Sequence, residues 1–169
     1  VEQLLGEAGY EHYETSAYAR PGRRCQHNLN YWGFGDYVAI GAGAHGKIST
    51  PGGPPGSGQQ AKIVRTERVK QPRDYMQKAL SADPASCVFE RREVTRSEVG
   101  FEFMLNALRL TEGFPVAWFA ERTGYPISLV SRALDEAERE GLLVRTHESI
   151  RPTTLGQRFL NRMLEKFLA

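Results

Sequence analysis

The residues best suited to chemistry lie between His27 and Trp32, where the chain reads His-Asn-Leu-Asn-Tyr-Trp. A neutral imidazole can ligate a metal such as iron, provided that a partner on its other nitrogen fixes the tautomer. Tyr31 and Trp32 add flat apolar surface beside it, which suits a planar ligand. The alternative is structural, a histidine hydrogen-bonded within a loop whose two aromatic side chains fill a core. The residues alone leave both interpretations open.

Further metal ligands near this run are few. Cys25 lies two residues before His27, and together the two could bind a soft or borderline metal. A closed site would also need His12 or His45, and no spacing here matches a zinc pattern, so we do not expect a structural metal. With only Cys25 and Cys87, the chain lacks the three or four thiolates that an iron–sulfur cluster usually takes. So few cysteines also indicate a reducing, cytoplasmic compartment.

A second candidate is the glycine-rich run Gly41-Ala-Gly43-Ala-His45-Gly46. It follows the apolar residues 37–40, which predict a short buried strand. The run therefore resembles a loop at the carboxyl end of a barrel or sheet strand, where glycines let the backbone approach a ligand closely. It is not a complete Gly-x-Gly-x-x-Gly motif opening a helix. A tight turn is therefore an equal alternative.

Charge is unevenly distributed along the chain. The net charge is +2, from 22 basic and 20 acidic residues, yet residues 61–96 form a basic stretch between slightly acidic flanks. Such a stretch could meet phosphates, propionates or an acidic partner, or could simply be a solvated face. No apolar run approaches the roughly 20 residues that a membrane-spanning helix needs.

The first half of the chain predicts alternating helices and strands, an α/β layer architecture. We expect a helix over 2–9 ended by Gly9, a strand over 10–18, and a short helical or irregular segment at 26–32. A hairpin should pair 45–50 with 61–69 around a mobile loop tip at 51–58. Pro72 should begin a helix that runs to Leu80.

The second half predicts helix, helix-turn-helix, ribbon and helix, a winged-helix-like order. The helix from Ser97 should bury the face that carries Phe101, Leu105 and Leu108, with Met104 alongside. Helices should follow at 115–122 and 127–140, then a short hairpin at 142–151 and a last helix from Thr153. A DNA-binding role is disfavoured because the would-be recognition helix is acidic, and phosphate binding needs positive charge. We therefore expect a packing or protein-docking domain rather than one that binds nucleic acid.

Three motifs in residues 8–47 carry a family resemblance. The chain reads Ala-Gly-Tyr-Glu-His-Tyr-Glu-Thr-Ser-Ala-Tyr-Ala-Arg-Pro-Gly, then Cys-Gln-His-Asn-Leu-Asn-Tyr-Trp, then Phe-Gly-Asp-Tyr-Val-Ala-Ile-Gly-Ala-Gly-Ala-His-Gly-Lys. In this order they closely resemble the HemW branch of the oxygen-independent coproporphyrinogen III oxidase-like radical SAM proteins. Residues 103–110 and 153–161 continue the resemblance, which covers nearly the whole chain except the loop at 51–60.

The resemblance implies a haem chaperone, which binds haem and passes it to acceptor proteins of respiration. It implies a partial TIM-type barrel holding a [4Fe–4S] cluster and S-adenosylmethionine, followed by an accessory carboxy-terminal domain. The sister branch implies the alternative of an oxygen-independent coproporphyrinogen III oxidase. The Cys-x-x-x-Cys-x-x-Cys motif of the family is absent from this chain. We therefore expect a carboxy-terminal portion without radical chemistry of its own, and whether the whole protein is an enzyme stays open.

The resemblance also implies how the chain is divided. We expect the end of the barrel at 1–69, a basic connecting segment at 70–96 and the winged-helix-like domain at 97–169. Peripheral contact with a membrane is compatible with this organisation, whereas an integral segment is not expected.

Haem capture should centre on the motif at His27, which is the expected axial ligand of the iron. The other expected contacts are Asn28, Tyr31 and Trp32 in the motif, Cys25 as a second-rank ligand, and Gly41, Gly43 and His45 in the glycine-rich run. The haem propionates could meet Arg20, Arg23 or Arg24 through charge-assisted hydrogen bonds.

Overall fold

A computed structural model describes residues 1–53 and 61–168. The loop tip predicted at 51–58 therefore lies mostly outside the described residues. Within them, eight α-helices and three small antiparallel sheets confirm the expected mixture of helices and strands. The chain forms two compact units, one of Val1–Phe34 with Arg96–Ala169 and one of Gly35–Thr95. The division at 69 and 97 that the family resemblance implies stays a prediction.

The first unit begins with the predicted helix, α1 (Glu2–Glu7), and Gly9 follows it with a left-handed φ of 78°. The strand predicted over 10–18 is instead a hairpin of β1 (Glu11–Glu14) and β2 (Ala17–Ala19). Thr15 and Ser16 form the turn between them. Side chains alternate between two faces in both strands, and a turn of two residues does not interrupt this alternation. The sequence pattern therefore predicts one continuous strand.

Helix α4 (Arg96–Ala107) forms as predicted but buries a different face. Leu108 and Met104 are buried as predicted, but Leu105 is 41% exposed and Phe101 is only half-buried, so the buried face is rotated away from these two side chains. Beside Met104, the buried face carries Val99, Gly100, Phe103 and Ala107. Small residues allow this close packing, because a Cβ on Gly100 would lie 2.6 Å from Cγ1 of Val130. A prediction that counts large apolar side chains misses a face that relies on small ones.

Phe103 lies at the centre of this core. Its ring makes edge contacts with Phe34, Phe114 and Phe119, at centroid distances of 5.4, 5.3 and 5.0 Å. Edge-to-face pairs of this kind are favourable beyond the area that they bury. Because Phe34 follows the motif and Phe103 lies in α4, distant parts of the chain meet here.

The rest of the first unit follows the predicted order with a few differences. The helix predicted from Thr153 is divided into two at Phe159, and the helix predicted at 115–122 begins only at Ala117, after a short strand that the sequence did not predict. The elements are α2 (Gln26–Trp32) before α4, and after it β6 (Phe114–Pro115), α5 (Ala117–Thr123), α6 (Ser131–Arg139), β7 (Leu143–Arg145), β8 (Ser149–Pro152), α7 (Thr154–Arg158) and α8 (Leu160–Glu165). Strands β7 and β8 confirm the predicted hairpin, and β6 pairs with the other edge of β8. The helix predicted at 127–140 opens as a 3-10 turn, Ile127–Val130, before α6.

The second unit contains β3 (His45–Thr50), β4 (Lys62–Arg68) and β5 (Val88–Glu93) in one antiparallel sheet with β4 in the middle. The predicted hairpin is therefore confirmed, as is the helix that begins at Pro72, α3 (Pro72–Ala79). A 3-10 turn, Pro84–Cys87, leads into β5.

The buried strand predicted at 37–40 is wrong. Tyr37 makes a single bridge to Lys47, and the side chains of Val38 and Ile40 are 70% and 82% exposed. Gly41 then turns the chain with a φ of 104°, which stops the segment from continuing along the sheet. No helix among the described residues is long and apolar enough to span a bilayer.

Candidate functional site

The motif residues lie on α2, a helix of seven residues. His27 and Tyr31 are four positions apart and share one side of it, whereas Asn28 and Trp32 share the adjacent side. His27 is exposed, and the other three are half-buried. Cys25 immediately precedes the helix, in extended conformation and exposed. The helix therefore presents an imidazole to solvent and keeps Asn28 and Trp32 against the unit.

The carboxyl end of α2 is fixed in the core. Phe34 is 1% exposed and has a φ of 61°, a left-handed conformation that costs a residue with a side chain roughly 1–2 kcal/mol. Burial of its ring against Phe103 offsets that cost. Gly33 has no room for a side chain, because a Cβ would lie 2.9 Å from the Leu29 carbonyl oxygen and 3.2 Å from the Trp118 ring.

Asn28 attaches the middle of α2 to strand β1. Its Nδ2 donates to the hydroxyl of Tyr13 over 3.2 Å, and Tyr13 is only 3% exposed. A side chain that is buried and hydrogen-bonded in this way holds the helix against the hairpin. The structure therefore gives Asn28 a structural contact.

The two aromatic side chains of the motif meet at a right angle. The Tyr31 and Trp32 rings lie 4.7 Å apart with an interplanar angle of 90°. The guanidinium carbon of Arg109 lies 4.3 Å from the centroid of the Trp32 ring, a cation–π stack. The indole Nε1 is buried and has no hydrogen-bond partner among the described residues. Sequence reasoning missed Arg109, because nothing local in the sequence relates it to a motif 77 positions earlier.

The remaining candidate metal ligands do not gather around His27. The His12 ring stacks on Tyr18 at 4.5 Å, and its Nδ1 lies 3.8 Å from a carboxylate oxygen of Glu2. Across residues 1–53 and 61–168, no group of three His, Cys, Asp or Glu side chains could hold a metal ion. An iron-containing ligand at α2 would thus depend on one or two side chains and on the aromatic surface.

Arg24 is already committed to carboxylates of this unit. Its two Nη atoms each donate to Glu112 over 2.6 Å, and Nη2 also donates to Glu11 over 3.2 Å. The hydrogen bonds from Arg24 lower the pKa of Glu112 against the opposing effect of burial. Arg20 and Arg23 are exposed. A propionate contact through Arg24 would require these carboxylates to be displaced, whereas Arg20 and Arg23 would be easier to recruit.

The glycine-rich run lies in the second unit, where its backbone amides are engaged. The Gly41 amide donates to the Tyr75 hydroxyl over 3.1 Å, and the Gly43 amide donates to the Val69 carbonyl over 2.9 Å. Both glycines have a positive φ, 104° and 68°. His45 is exposed at the start of β3. This geometry favours the tight turn, and ligand contact by Gly41, Gly43 and His45 stays a prediction.

Helix α6 and the hairpin beside it form an ion-pair cluster. Arg145 donates to Asp135 over 2.8 Å and, through Nε, to Glu138 over 3.0 Å. The hydrogen bonds from Arg145 lower the pKa of Glu138, against the opposing effect of burial. The carboxylates of this helix are thus paired within the protein. The helix does not offer the positive charge that binding to phosphates needs.

A family model described as the HemN C-terminal domain matches residues 94–159. The chain is 43% identical over 167 residues to the protein named heme chaperone HemW of Escherichia coli K12, and 41% identical over 166 residues to that of Haemophilus influenzae. These alignments cover 99% and 98% of the chain but only 40% and 39% of the two relatives. The chain thus spans about two-fifths of the length of the relatives that it matches.

Among solved structures, the chain resembles coproporphyrinogen III oxidase (HemN) from Escherichia coli, a radical SAM enzyme. The TM-score is 0.62 with 13% sequence identity, over 98% of this chain and 38% of that one. At that identity the match establishes a shared fold and says nothing of a shared activity.

Proposed function

Because the chain is homologous to the carboxy-terminal portion of HemW haem chaperones, as its motifs predict, we propose that it captures haem reversibly on α2. The observation that carries the proposal is that one exposed histidine and two perpendicular aromatic rings lie on the same short helix, which is anchored at its middle and at its end. Anchoring matters, because a site that is already ordered does not lose conformational freedom when a ligand binds.

Each motif residue has a role in this proposal. His27 supplies the axial nitrogen to the haem iron, and Tyr31 and Trp32 provide the surface against which the macrocycle packs. Cys25 is exposed just before the helix and is therefore a second candidate ligand, of lower rank than His27. Asn28 contributes by holding α2 to Tyr13. Haem is the cargo here, so a single protein ligand is consistent with release to an acceptor.

We also propose the finer architecture that the resemblance implies. The helix–strand elements at 1–69 correspond to the end of a radical SAM barrel, and residues 97–169, from α4 to α8, form a winged-helix-like domain. The match of residues 94–159 to the HemN C-terminal domain supports the second part. With two cysteines, the chain carries no cluster motif, so any [4Fe–4S] cluster and S-adenosylmethionine belong to other parts of the full-length protein. Haem-acceptor proteins, of respiration among others, are the proposed partners in the cytoplasm.

The experiment is a haemin titration of the 169-residue chain, followed by the Soret band, with His27→Ala against wild type. We expect His27→Ala to shift the band and to weaken binding by about tenfold or more, because an axial ligand is lost. His147→Ala is the matched control, since His147 is 89% exposed in the same unit and lies at the β7–β8 turn. Equal Soret spectra and affinities for wild type and His27→Ala would exclude His27 as the ligand.

A further inference from the structure

A buried carboxylate lies behind the motif helix. Glu14, the last residue of β1, is 2% exposed. Its Oε1 accepts a hydrogen bond from the Ser16 hydroxyl over 3.0 Å. Its Oε2 has no hydrogen-bond partner among the described residues, and the nearest cation is Nη2 of Arg109, 3.6 Å away. A charge buried to this extent is costly unless a countercharge compensates it.

The backbone holds Arg109 beside Glu14. The Arg109 carbonyl accepts the Thr15 amide over 3.0 Å, and the next residue, Leu110, forms an antiparallel bridge with Glu14. The segment after α4 thus runs beside β1, which fixes the separation of the two charged residues. The side chain of Arg109, 26% exposed, reaches from this point to the Trp32 ring.

The carboxylate holds the guanidinium in place together with Ser16, whose hydroxyl accepts from Nη2 of Arg109 over 3.5 Å and donates to Glu14. Without Glu14, a long and partly exposed arginine side chain would gain hydration and rotamer freedom by extending into solvent. The buried charge opposes that escape, because Coulomb attraction is stronger where water is excluded. The guanidinium is therefore kept over one face of the indole, which restrains rotation of the ring about its χ angles.

We infer that Glu14 and Arg109 are positioning residues for haem binding, which act by holding the Trp32 ring in the orientation that the macrocycle packs against. The inference rests on the proposed function, since it assigns a role within the same site. Neither residue needs to touch the haem. This role accounts for the buried carboxylate. Glu14 holds Arg109, a cation that lies outside the motif, against the Trp32 ring of the motif.

Conservative substitutions test the pair with least risk to folding. Glu14→Gln retains the shape of the side chain and removes its charge, and Arg109→Lys retains a countercharge but loses the planar stack. Arg109→Met is avoided as a single change, because it would leave Glu14 buried without a countercharge. Arg145→Lys is the matched control, the same substitution at an arginine that is also paired with carboxylates in this unit.

Two readouts are combined. Haemin affinity is measured by Soret titration, and the accessibility of Trp32 is measured by acrylamide quenching in a Trp118→Phe background, which leaves Trp32 as the one tryptophan. We expect Glu14→Gln and Arg109→Lys each to raise the haemin Kd by about fivefold to tenfold and to increase quenching. The haemin Kd of the double variant should exceed that of either single variant by no more than twofold, because both substitutions remove the same interaction. Arg145→Lys should change neither readout.

The outcomes separate this inference from the proposed function. If wild type binds haemin through His27 while Glu14→Gln and Arg109→Lys keep wild-type affinity, the positioning role is wrong and the proposed function stands. If both variants lose affinity without any change in Trp32 quenching, the effect does not pass through the indole and the inference is also wrong. If His27→Ala leaves haemin binding unchanged, the proposed function fails, and the role of the pair in haem binding fails with it.

Discussion

The helix α2 and the glycine-rich run at Gly41–Gly46 both have sequences typical of ligand contact, but they differ in whether their polar groups are already hydrogen-bonded within the protein. In the run, the amides of both Gly41 and Gly43 donate to groups of their own unit. On α2, His27 is exposed and the Trp32 Nε1 is buried without a partner among the described residues. Glycine permits a tight turn and a close ligand approach equally well, so only the hydrogen bonding distinguishes them.

The largest effects are expected for Gly33→Ala and Gly46→Ala, which should both destabilise the protein but differ in their effect on haemin binding. A Cβ at Gly46 would lie 2.7 Å from the Thr66 hydroxyl and 3.0 Å from Ala39, and a Cβ at Gly33 would meet the Leu29 carbonyl oxygen at 2.9 Å. We expect each to lower the unfolding free energy by about 2 to 3 kcal/mol through overpacking, measured by urea denaturation. Only Gly33→Ala should also weaken haemin binding severalfold, because it displaces the end of α2. Weaker haemin binding in Gly46→Ala would remove the contrast between the regions.

Gly41→Ala tests the turn directly. Apart from its chain neighbours, no atom of residues 1–53 or 61–168 lies within 4 Å of the added Cβ, so the expected cost comes from the φ of 104°. We expect a loss of about 1 to 2 kcal/mol in unfolding free energy, seen as a lower urea midpoint with an unchanged slope. Haemin affinity should stay at its wild-type value. A fall in affinity would instead identify the run as a ligand contact.

Acid should weaken the second unit through Asp36. Burial opposes ionisation of this carboxyl, but hydrogen bonds from Lys47 and Ser49 outweigh it and hold its pKa below the usual value. Because the folded pKa is the lower one, the stabilisation is fully present above the unfolded pKa of about 4 and is lost as the pH falls through the folded value. Asp36→Asn should therefore flatten the acid limb of stability against pH. An unchanged acid limb would show that the pair contributes nothing.

The smallest effect is expected for Arg24→Lys. Lysine keeps the charge but cannot reproduce the bidentate contact with Glu112, and because the pair is partly exposed the loss should stay below about 1 kcal/mol. The haemin Kd should change less than twofold, since Arg24 is engaged by carboxylates. A larger rise in Kd, measured in the same titration, would show that Arg24 leaves Glu112 to meet the propionates.

Local signals in the sequence predicted much of the fold. Gly9 ended α1, Pro72 began α3, and the β3–β4 and β7–β8 hairpins formed where alternation indicated them. These features depend on backbone preferences within a few residues. The motif on α2 was likewise found from types and spacing within six positions.

Long-range packing was not predictable in the same way. The buried face of α4 depends on the fit of Gly100 against Val130, a contact 30 positions away along the chain. The stack of Arg109 on Trp32 and its ion pair with Glu14 depend on a backbone bridge between residues 14 and 110. Neither leaves a periodic trace in a single sequence, so only the folded chain reveals them.

The bridge between Glu14 and Leu110 has a consequence for the order of events during synthesis. The motif helix leaves the ribosome long before Arg109 does, and contacts between residues so far apart form late because a long loop must first close. Until then Phe34 has no Phe103 to pack against, and Trp32 has no guanidinium across its face. The nascent chain therefore carries an unassembled motif, and the haem capture that we propose would begin only after residues 96–169 have folded onto it.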